Sequence, residues 1–412
     1  MINKTNTLIP ELRFPEFVNN ETWAERKLSD VLFEHKEKSS GKEEVYSVSV
    51  HKGVVNQIEH LGRVFASNNT ENYKRVFPGD IIYTKSPTGD FPFGIIKQSK
   101  VLKPVITSPL YGVFKPETID LGVILDAYFD YPERTINYLS SIIQKGAKNT
   151  VNIHNDIFLS KSLPLPIDKK EQQKIANCLS SLDELIISNI DKFKTLKTYK
   201  RGLIQNLFPI KGERVPKIRF KEFEKDGEWV NKILSEVANY ENGKAHEQDI
   251  SEDGKFIVVN SKFISTDGEV AKYSNATHCL AYKEDILMVL SDVPNGRAIA
   301  KCLYVKQDNK YTVNQRICKI TSFDCDSIFL YYTINRNPYF LAFDDGVKQT
   351  NLRNDDVLSF PFLVPISHKE QQKIADTLSS LDNLIKEQSN KIEQLKSHKK
   401  GLMQGLFPKV NN

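Results

Sequence analysis

Two stretches of this chain place an apolar residue alternately four and three positions apart. The first runs Ile175, Leu179, Leu182, Ile186, then Phe193, Leu196, Leu203 and Leu207, with polar breaks at Asn189 and Lys200. The second runs Ile374, Leu378, Leu381, Ile385, Ile392, Leu395, Leu402 and Leu406, with breaks at Gln388 and Lys399. Sustained four-three alternation is the seam that under-wound helices bury against each other, and polar residues set into it fix register at some cost in stability. No proline interrupts either run, and Leu-Phe-Pro closes both (207–209 and 406–408) because proline cannot continue a helix. Each stretch is predicted to be a helix of about forty residues, roughly 60 Å long at 1.5 Å per residue. A lone helix of this kind would leave its stripe wet, so the two are expected to pair, antiparallel.

Outside the helices the pattern changes to short, β-branched runs bounded by turn residues. Residues 45–50, 80–83, 95–96 and 101–107 read as strands, as do 256–259, 285–290, 298–305 and 316–320. Helical stretches are expected near 121–143 and 327–343. The fold class that follows is α+β: two mixed α/β modules separated by two long helices forming an antiparallel coiled coil. In chain order this divides into a first module over 1–165, a helix over 166–209, a second module over 210–365 and a second helix over 366–412.

The halves are copies. Pro-Ile-Asp-Lys-Lys-Glu-Gln-Gln-Lys-Ile-Ala at 166–176 returns as Pro-Ile-Ser-His-Lys-Glu-Gln-Gln-Lys-Ile-Ala at 365–375, a shift of 199, and 26 of the 44 positions paired over 166–209 and 365–408 are identical. Each module also has its own opening. Arg13-Phe14, Glu16-Phe17, Trp23 and Leu28-Ser29 recur as Arg219-Phe220, Glu222-Phe223, Trp229 and Leu234-Ser235. Inside the modules only landmarks match. Gly79-Asp80-Ile81-Ile82 answers Glu284-Asp285-Ile286-Leu287, and the loop at 146–150 answers that at 346–350. The runs at 240–244 and 258–262 have no counterpart in the first module. A common frame with diverged surfaces implies two different ligands, or two halves of one asymmetric ligand.

Charge narrows this less than the net +5 of the 412 residues suggests. Residues 10–165 carry 19 basic against 19 acidic side chains and residues 216–365 carry 19 against 22. A nucleic-acid face would therefore have to be a local patch. No run of about eighteen apolar residues supports a membrane span, and the N-terminus has no apolar run to act as a signal, so a cytoplasmic protein is expected. The five cysteines (Cys178, Cys279, Cys302, Cys318, Cys325) are scattered without metal-ligand spacing, which fits thiols in a reducing compartment.

Catalytic signatures are missing. There is no Asn/Asp-Pro-Pro-aromatic segment of the kind adenine methyltransferases use; Ser108-Pro109-Leu110-Tyr111 is the nearest approach. No Gly-x-x-x-x-Gly-Lys-Ser/Thr loop, no compact Asp…Glu-x-Lys nuclease arrangement and no His-Glu-x-x-His metal site occurs. No catalytic residue and no metal ligand is assigned, and any chemistry is expected in partners.

The paired openings and above all the paired Glu-Gln-Gln-Lys-Ile-Ala helices resemble the specificity subunit of type I restriction–modification systems, from about residue 10 to 408. That resemblance implies that the modules are target-recognition domains, each reading part of a split site in double-stranded DNA. It implies too that the helices separate them and dock two methyltransferase (modification) subunits, and that two restriction subunits join when the complex also cleaves. No cofactor is expected on this chain; S-adenosylmethionine, ATP and Mg2+ belong to the partners. Half-sites about one helical turn apart, roughly 34 Å, suit two modules on a stiff spacer.

Loops combining basic, amide and small residues are the candidate DNA contacts, since Arg and Lys suit guanine edges or phosphates and Asn and Gln suit adenine edges. In the first module these are Thr84, Lys85, Ser86, Thr88, Lys148, Asn149 and Asn152, with Arg63, Tyr73, Lys74 and Arg75 as backbone contacts. In the second they are Asn295, Arg297, Lys348, Gln349, Asn351 and Arg353. Glu171, Gln172, Lys174, Glu370, Gln371 and Lys373 are the candidates for partner docking, or alternatively for packing in the coiled coil. Two rival readings are a coiled-coil scaffold with two protein-binding heads, and the specificity subunit of a related system whose partner fuses methylation and cleavage.

Overall fold

A computed structural model describes residues 8–61, 70–143, 153–293 and 296–408. The chain forms two compact units, one made of Met1–Asp191 with Asn390–Asn412 and the other of Lys192–Ser389. The long helices are Lys169–Leu207 and His368–Gly405, 39 and 38 residues without interruption. Each unit thus combines one head with the N-terminal half of one helix and the C-terminal half of the other, which is the antiparallel arrangement. The division into units differs from the chain-order segments, because neither head is completed by its own segment.

Both heads share a frame. In the first, a four-stranded antiparallel sheet has the order Leu32–Glu34, Gly112–Pro116, Ile81–Tyr83, Ile96–Gln98. In the second, the same order is made by Ala238–Asn242, Ile317–Ser322, Ile286–Val289 and Cys302–Tyr304. A two-stranded ribbon ties each head shut just before its helix: Ala24–Lys27 with Ser162–Leu165, and Val230–Ile233 with Pro361–Val364. The added layers differ. The second head carries a sheet in which Phe256–Val259 and Tyr311–Val313 run parallel. The first has a hairpin, Tyr46–Ser49 with Gly53–Asn56, and a pair, Lys74–Val76 with Val105–Thr107.

The helical stretches expected near 121–143 and 327–343 are each broken in two. Ile119–Phe129 is followed by Pro132–Ser140, and Ser327–Ile334 by Pro338–Leu341. In both cases proline occupies the first turn of the second helix and holds the preceding residue, Tyr131 or Asn337, in extended backbone. The five cysteines are free thiols, four of them buried. No helix among the described residues is long and apolar enough to cross a membrane.

Most of the repeated helix motif is consumed by folding. The Glu171 carboxylate accepts from Arg13 Nε (2.7 Å) and Nη2 (2.8 Å) and from the indole of Trp23 (3.2 Å). Glu370 repeats this with Arg219 (2.8 and 2.8 Å) and Trp229 (3.3 Å). The two carboxylate side chains are 2% and 1% exposed. The next residue caps a helix support: Gln172 accepts from Thr118 (3.1 Å), which itself caps Ile119–Phe129, while Gln371 accepts the Asp326 N–H (2.8 Å) ahead of Ser327–Ile334. Their amides donate to Pro166 and Pro365 carbonyls at 2.8 and 2.9 Å. Of the two readings left open for Glu171, Gln172, Glu370 and Gln371, docking or packing, the geometry favours a structural role, since all four are buried and hydrogen-bonded within the units. Lys174 and Lys373 stay half exposed, each paired with an acid of the module opening, Glu16 at 3.1 Å and Glu222 at 3.3 Å.

The breaks in the seam have partners as well. Lys399 reaches Asp183 at 2.5 Å in one unit, and Lys200 reaches Asp382 at 2.5 Å in the other. These are the same pair under the 199-residue shift. Asn189 and Gln388 lie in the seam only 7% and 6% exposed. Leu-Phe-Pro does more than end the helices. Phe208 packs edge-on against Trp229 (6.2 Å between centroids) and Phe407 against Trp23 (6.1 Å). The backbone repeats this docking, with Ile218 N–H to Asn206 O at 2.9 Å and Leu12 N–H to Gly405 O at 2.8 Å.

Phe407 therefore belongs to the core of the first head although it stands at the far end of the sequence. Phe407→Ala is expected to destabilise the first unit by about 3–5 kcal/mol, the usual range for removing a buried aromatic ring. Differential scanning calorimetry of the full chain should show the first unit melting earlier and the second unmoved; a shift shared equally by both would refute the assignment.

Candidate nucleic-acid interface

In the second unit two loops distant in sequence are joined into one edge. Ser291–Asp292 and Thr350–Asn351 form an antiparallel ribbon. Gln349 clamps it, donating from Nε2 to Ser291 Oγ (2.7 Å) and to Asn351 Oδ1 (3.2 Å). The Asp292 carboxylate then curls the following segment by accepting the N–H groups of Val293 (2.9 Å), Ala298 (2.6 Å) and Ile299 (3.1 Å). A Cβ at 296 would lie 2.1 Å from Asp292 Oδ2, so any larger residue there would displace the carboxylate that holds the turn. The result presents Arg297 to solvent, and among the described residues no acid holds its guanidinium.

The rest of the edge follows from local backbone chemistry. Lys348 is exposed, its N–H bonded to the Asp345 carboxylate at 3.0 Å. That carboxylate is held below its usual range by the N–H groups of Lys348 and Val347. Arg353 is exposed too, its N–H bonded to Asp356 at 2.8 Å. Thus Arg297, Lys348, Gln349, Asn351 and Arg353 belong to one edge, whereas Asn295 lies outside the described residues. The edge also contains two amides that sequence reasoning passed over. Asn242 donates to Asn354 at 3.2 Å. The signal for Asn242 was present: it lies in the 240–244 run that has no counterpart in the first module.

The first unit draws three of the candidate residues into its own bonding. Thr84 is buried, exchanging bonds with Ile95: Thr84 N–H to Ile95 O and Ile95 N–H to Thr84 Oγ1, both 3.0 Å. It extends the sheet ladder and presents nothing to a ligand. Lys74 donates to the Tyr111 carbonyl at 2.7 Å, and burial lowers its pKa from the ordinary lysine value. Arg75 has Nε 2.9 Å from Glu43 and its guanidinium over the Phe77 ring at 5.2 Å. Both cations are engaged within the head.

What remains accessible is a tip. Lys85 takes a left-handed backbone (φ 61°), and its amine is pushed below its ordinary value chiefly by burial and then by the charge of Lys74. Ser86 and Thr88 are exposed on the turn beyond it, where Thr88 and Phe91 exchange backbone bonds at 3.0 Å. Tyr73 is half-buried, its N–H on the Thr70 carbonyl at 2.9 Å. Arg63, Lys148, Asn149 and Asn152 lie outside the described residues. Exposed guanidinium, ammonium and amide groups on a backbone-braced edge can hydrogen-bond base edges and phosphates.

Comparison with known proteins identifies the family and the fold. The family described as "Type I restriction modification DNA specificity domain" matches residues 20–197 and 226–396. The type I restriction enzyme MjaVIII specificity subunit of Methanocaldococcus jannaschii is 26% identical over 307 residues, spanning 68% of this chain and 69% of its own. Among solved structures, the S subunit of a type I restriction–modification system from M. genitalium superposes with a TM-score of 0.63 at 15% identity, over 98% of this chain and 100% of that one. A chain from a structure titled for complex assembly and conformational transition of the type I R-M system gives 0.52 at 15%, covering 94% and 97%. At such identity the structural likeness speaks for the fold.

Two substitutions separate the exposed edge from the buried ladder. Arg297→Ala should leave the unfolding midpoint unchanged and weaken duplex binding, or relax selectivity at one base pair, by about 1–3 kcal/mol. Titration against duplexes differing at single positions reads this out, and an unchanged preference would remove Arg297 from the interface. Thr84→Val should instead leave the Ile95 N–H without its side-chain acceptor and lower thermal stability by about 1–3 kcal/mol.

Proposed function

Because the chain belongs to the family of type I restriction–modification DNA specificity domains, which recognise DNA sequence and leave catalysis to partner subunits, we propose that its two heads read the two halves of a split, asymmetric DNA site while its paired helices dock two methyltransferase subunits. The observation that carries this reading is a common four-stranded frame bearing unlike edges. Related frames suit two half-sites of one duplex, and unlike edges suit a sequence that is not a palindrome. A split site also needs a fixed gap, and two unbroken helices of 39 and 38 residues are stiff where a loop would not be.

Docking of two identical partners is supported by what folding leaves over from the repeat. Leu185 and Leu384 are 45% and 49% exposed, and Ile167 and Ile366 are also exposed. Each pair is identical across the 199-residue shift, as are the half-exposed Lys174 and Lys373. In this reading S-adenosylmethionine is bound by the methyltransferase subunits, which transfer its methyl group to adenine N6. ATP and Mg2+ serve restriction subunits where those join.

Co-expression with the methyltransferase subunits in a host free of adenine methylation, followed by single-molecule sequencing, tests the reading. The expected result is a two-part, asymmetric motif with a methylated adenine in each half. An unsplit or palindromic motif would contradict it. For docking, the double substitution Lys174→Glu with Lys373→Glu should release the methyltransferase subunits on affinity purification while the protein stays folded, with only a small drop in the unfolding midpoint because the pairs it breaks with Glu16 and Glu222 are half exposed. Continued co-purification would exclude these lysines from the contact.

A further inference from the structure

The second head holds a basic notch that the interface above does not include. Asn260 follows the strand Phe256–Val259 and Asn314 follows its parallel neighbour Tyr311–Val313, so both stand at the C-terminal ends of adjacent parallel strands. Asn314 N–H donates to the Val259 carbonyl at 3.0 Å, drawing the two ends together. Between them opens a cavity of about 340 Å³, lined by Asn260, Ser261, Lys262, Lys272, Asn314 and Arg316 among others. Lys262, Lys272 and Arg316 are exposed, and among the described residues none has an acid within ion-pair distance. Glu247 is the one carboxylate on the lining, and it sits 3.3 Å from the Gln315 amide. The Ser261 hydroxyl oxygen is enclosed without a hydrogen-bond partner. Three cations against one carboxylate make the lining of this notch positively charged.

Its position names the anion. The Arg316 carbonyl accepts from Leu290 N–H at 2.9 Å, and the Leu290 carbonyl accepts from Leu352 N–H at 2.8 Å. Leu290 directly precedes the Ser291–Asp292 ribbon strand, so the notch adjoins the edge bearing Arg297 and Gln349. The turn is seated tightly: a Cβ on Gly243 would lie 2.1 Å from the Asn314 carbonyl oxygen. Two of the three cations are lysines, compact point charges that meet phosphate oxygens without needing the planar fork of a bidentate base contact. We propose that this notch grips the sugar-phosphate backbone of the duplex alongside the base-reading edge, and that it contributes affinity without sequence preference. The proposal rests on the reading that this head binds DNA. The 258–262 wall has no counterpart in the sequence of the first module.

The test uses the assembled complex carrying Lys262→Gln, Lys272→Gln and Arg316→Gln together, with each single substitution as a control for folding. Affinity is measured over a salt series for a mixed-sequence duplex and for a duplex bearing the methylated motif. The triple variant should bind both duplexes more weakly by the same factor, its slope of log K against log salt should fall by about 2–3, and each single change should reduce it by roughly one. The methylated motif should stay the same. Wild-type affinity and slope in the triple variant, a changed motif, or loss of the partner subunits with DNA binding intact would each overturn the notch. A wild-type complex with no salt-dependent DNA binding would instead defeat the underlying reading, and this one with it.

Discussion

A buried carboxylate bound at once by a guanidinium and an indole sets the geometry of everything else. An ionised side chain withdrawn from water is tolerable only when its lone pairs are taken up by partners that hold their own charge in place. Glu171 meets this with Arg13 and Trp23, and Glu370 with Arg219 and Trp229. Each carboxylate stands in the first turn of a long helix, while each Arg and Trp comes from the opening of the preceding head. The bidentate geometry admits one orientation, so the helix leaves the head in one direction. Removing Arg13 or Arg219 would leave the buried carboxylate without its counter-charge, a strongly destabilising change.

The second constraint is that neither unit is complete without the other half of the chain. The first head is closed by Met403, Leu406 and Phe407, and the second by Leu207 with Leu203 and Phe208. The seam ion pairs follow the same rule, each joining an Asp from the start of one helix to a Lys near the end of the other. A duplicated sequence folded this way lets each helical stripe pack against the other half of the same chain.

On this frame the variable chemistry sits in loops that follow strands. The ribbon at Ser291–Asp292 and the turn at 314–316 both continue from largely buried strands, and backbone bonds such as Asn314 N–H to Val259 O and Ile317 N–H to Asn314 O brace them locally. Their exposed side chains can therefore change without cost to the core. That accounts for copies that agree along the helices and agree only at landmarks within the heads.

Much of this was legible beforehand, for reasons of periodicity. Helices of this length, the modules between them and the tandem order follow from spacing and self-similarity, which are properties of neighbouring positions. The two broken helices show the limit of that reading: the apolar run continues through Pro132 and Pro338, but the backbone does not. The interface was half legible. Arg297, Lys348, Gln349, Asn351 and Arg353 were found as loop residues, yet nothing local says that the two loops meet.

What the sequence alone determined is the repeated architecture and the kinds of side chain available to each surface. What the tertiary structure decided is which of those side chains are free. Glu171 and Gln172 look like a surface pair on a helix until Arg13, Trp23 and Thr118 arrive from more than fifty positions away. Thr84 and Arg75 look like loop ligands until Ile95 and Glu43 take them up. A polar group's exposure depends on partners brought by the fold, and no pattern of adjacent residues encodes them.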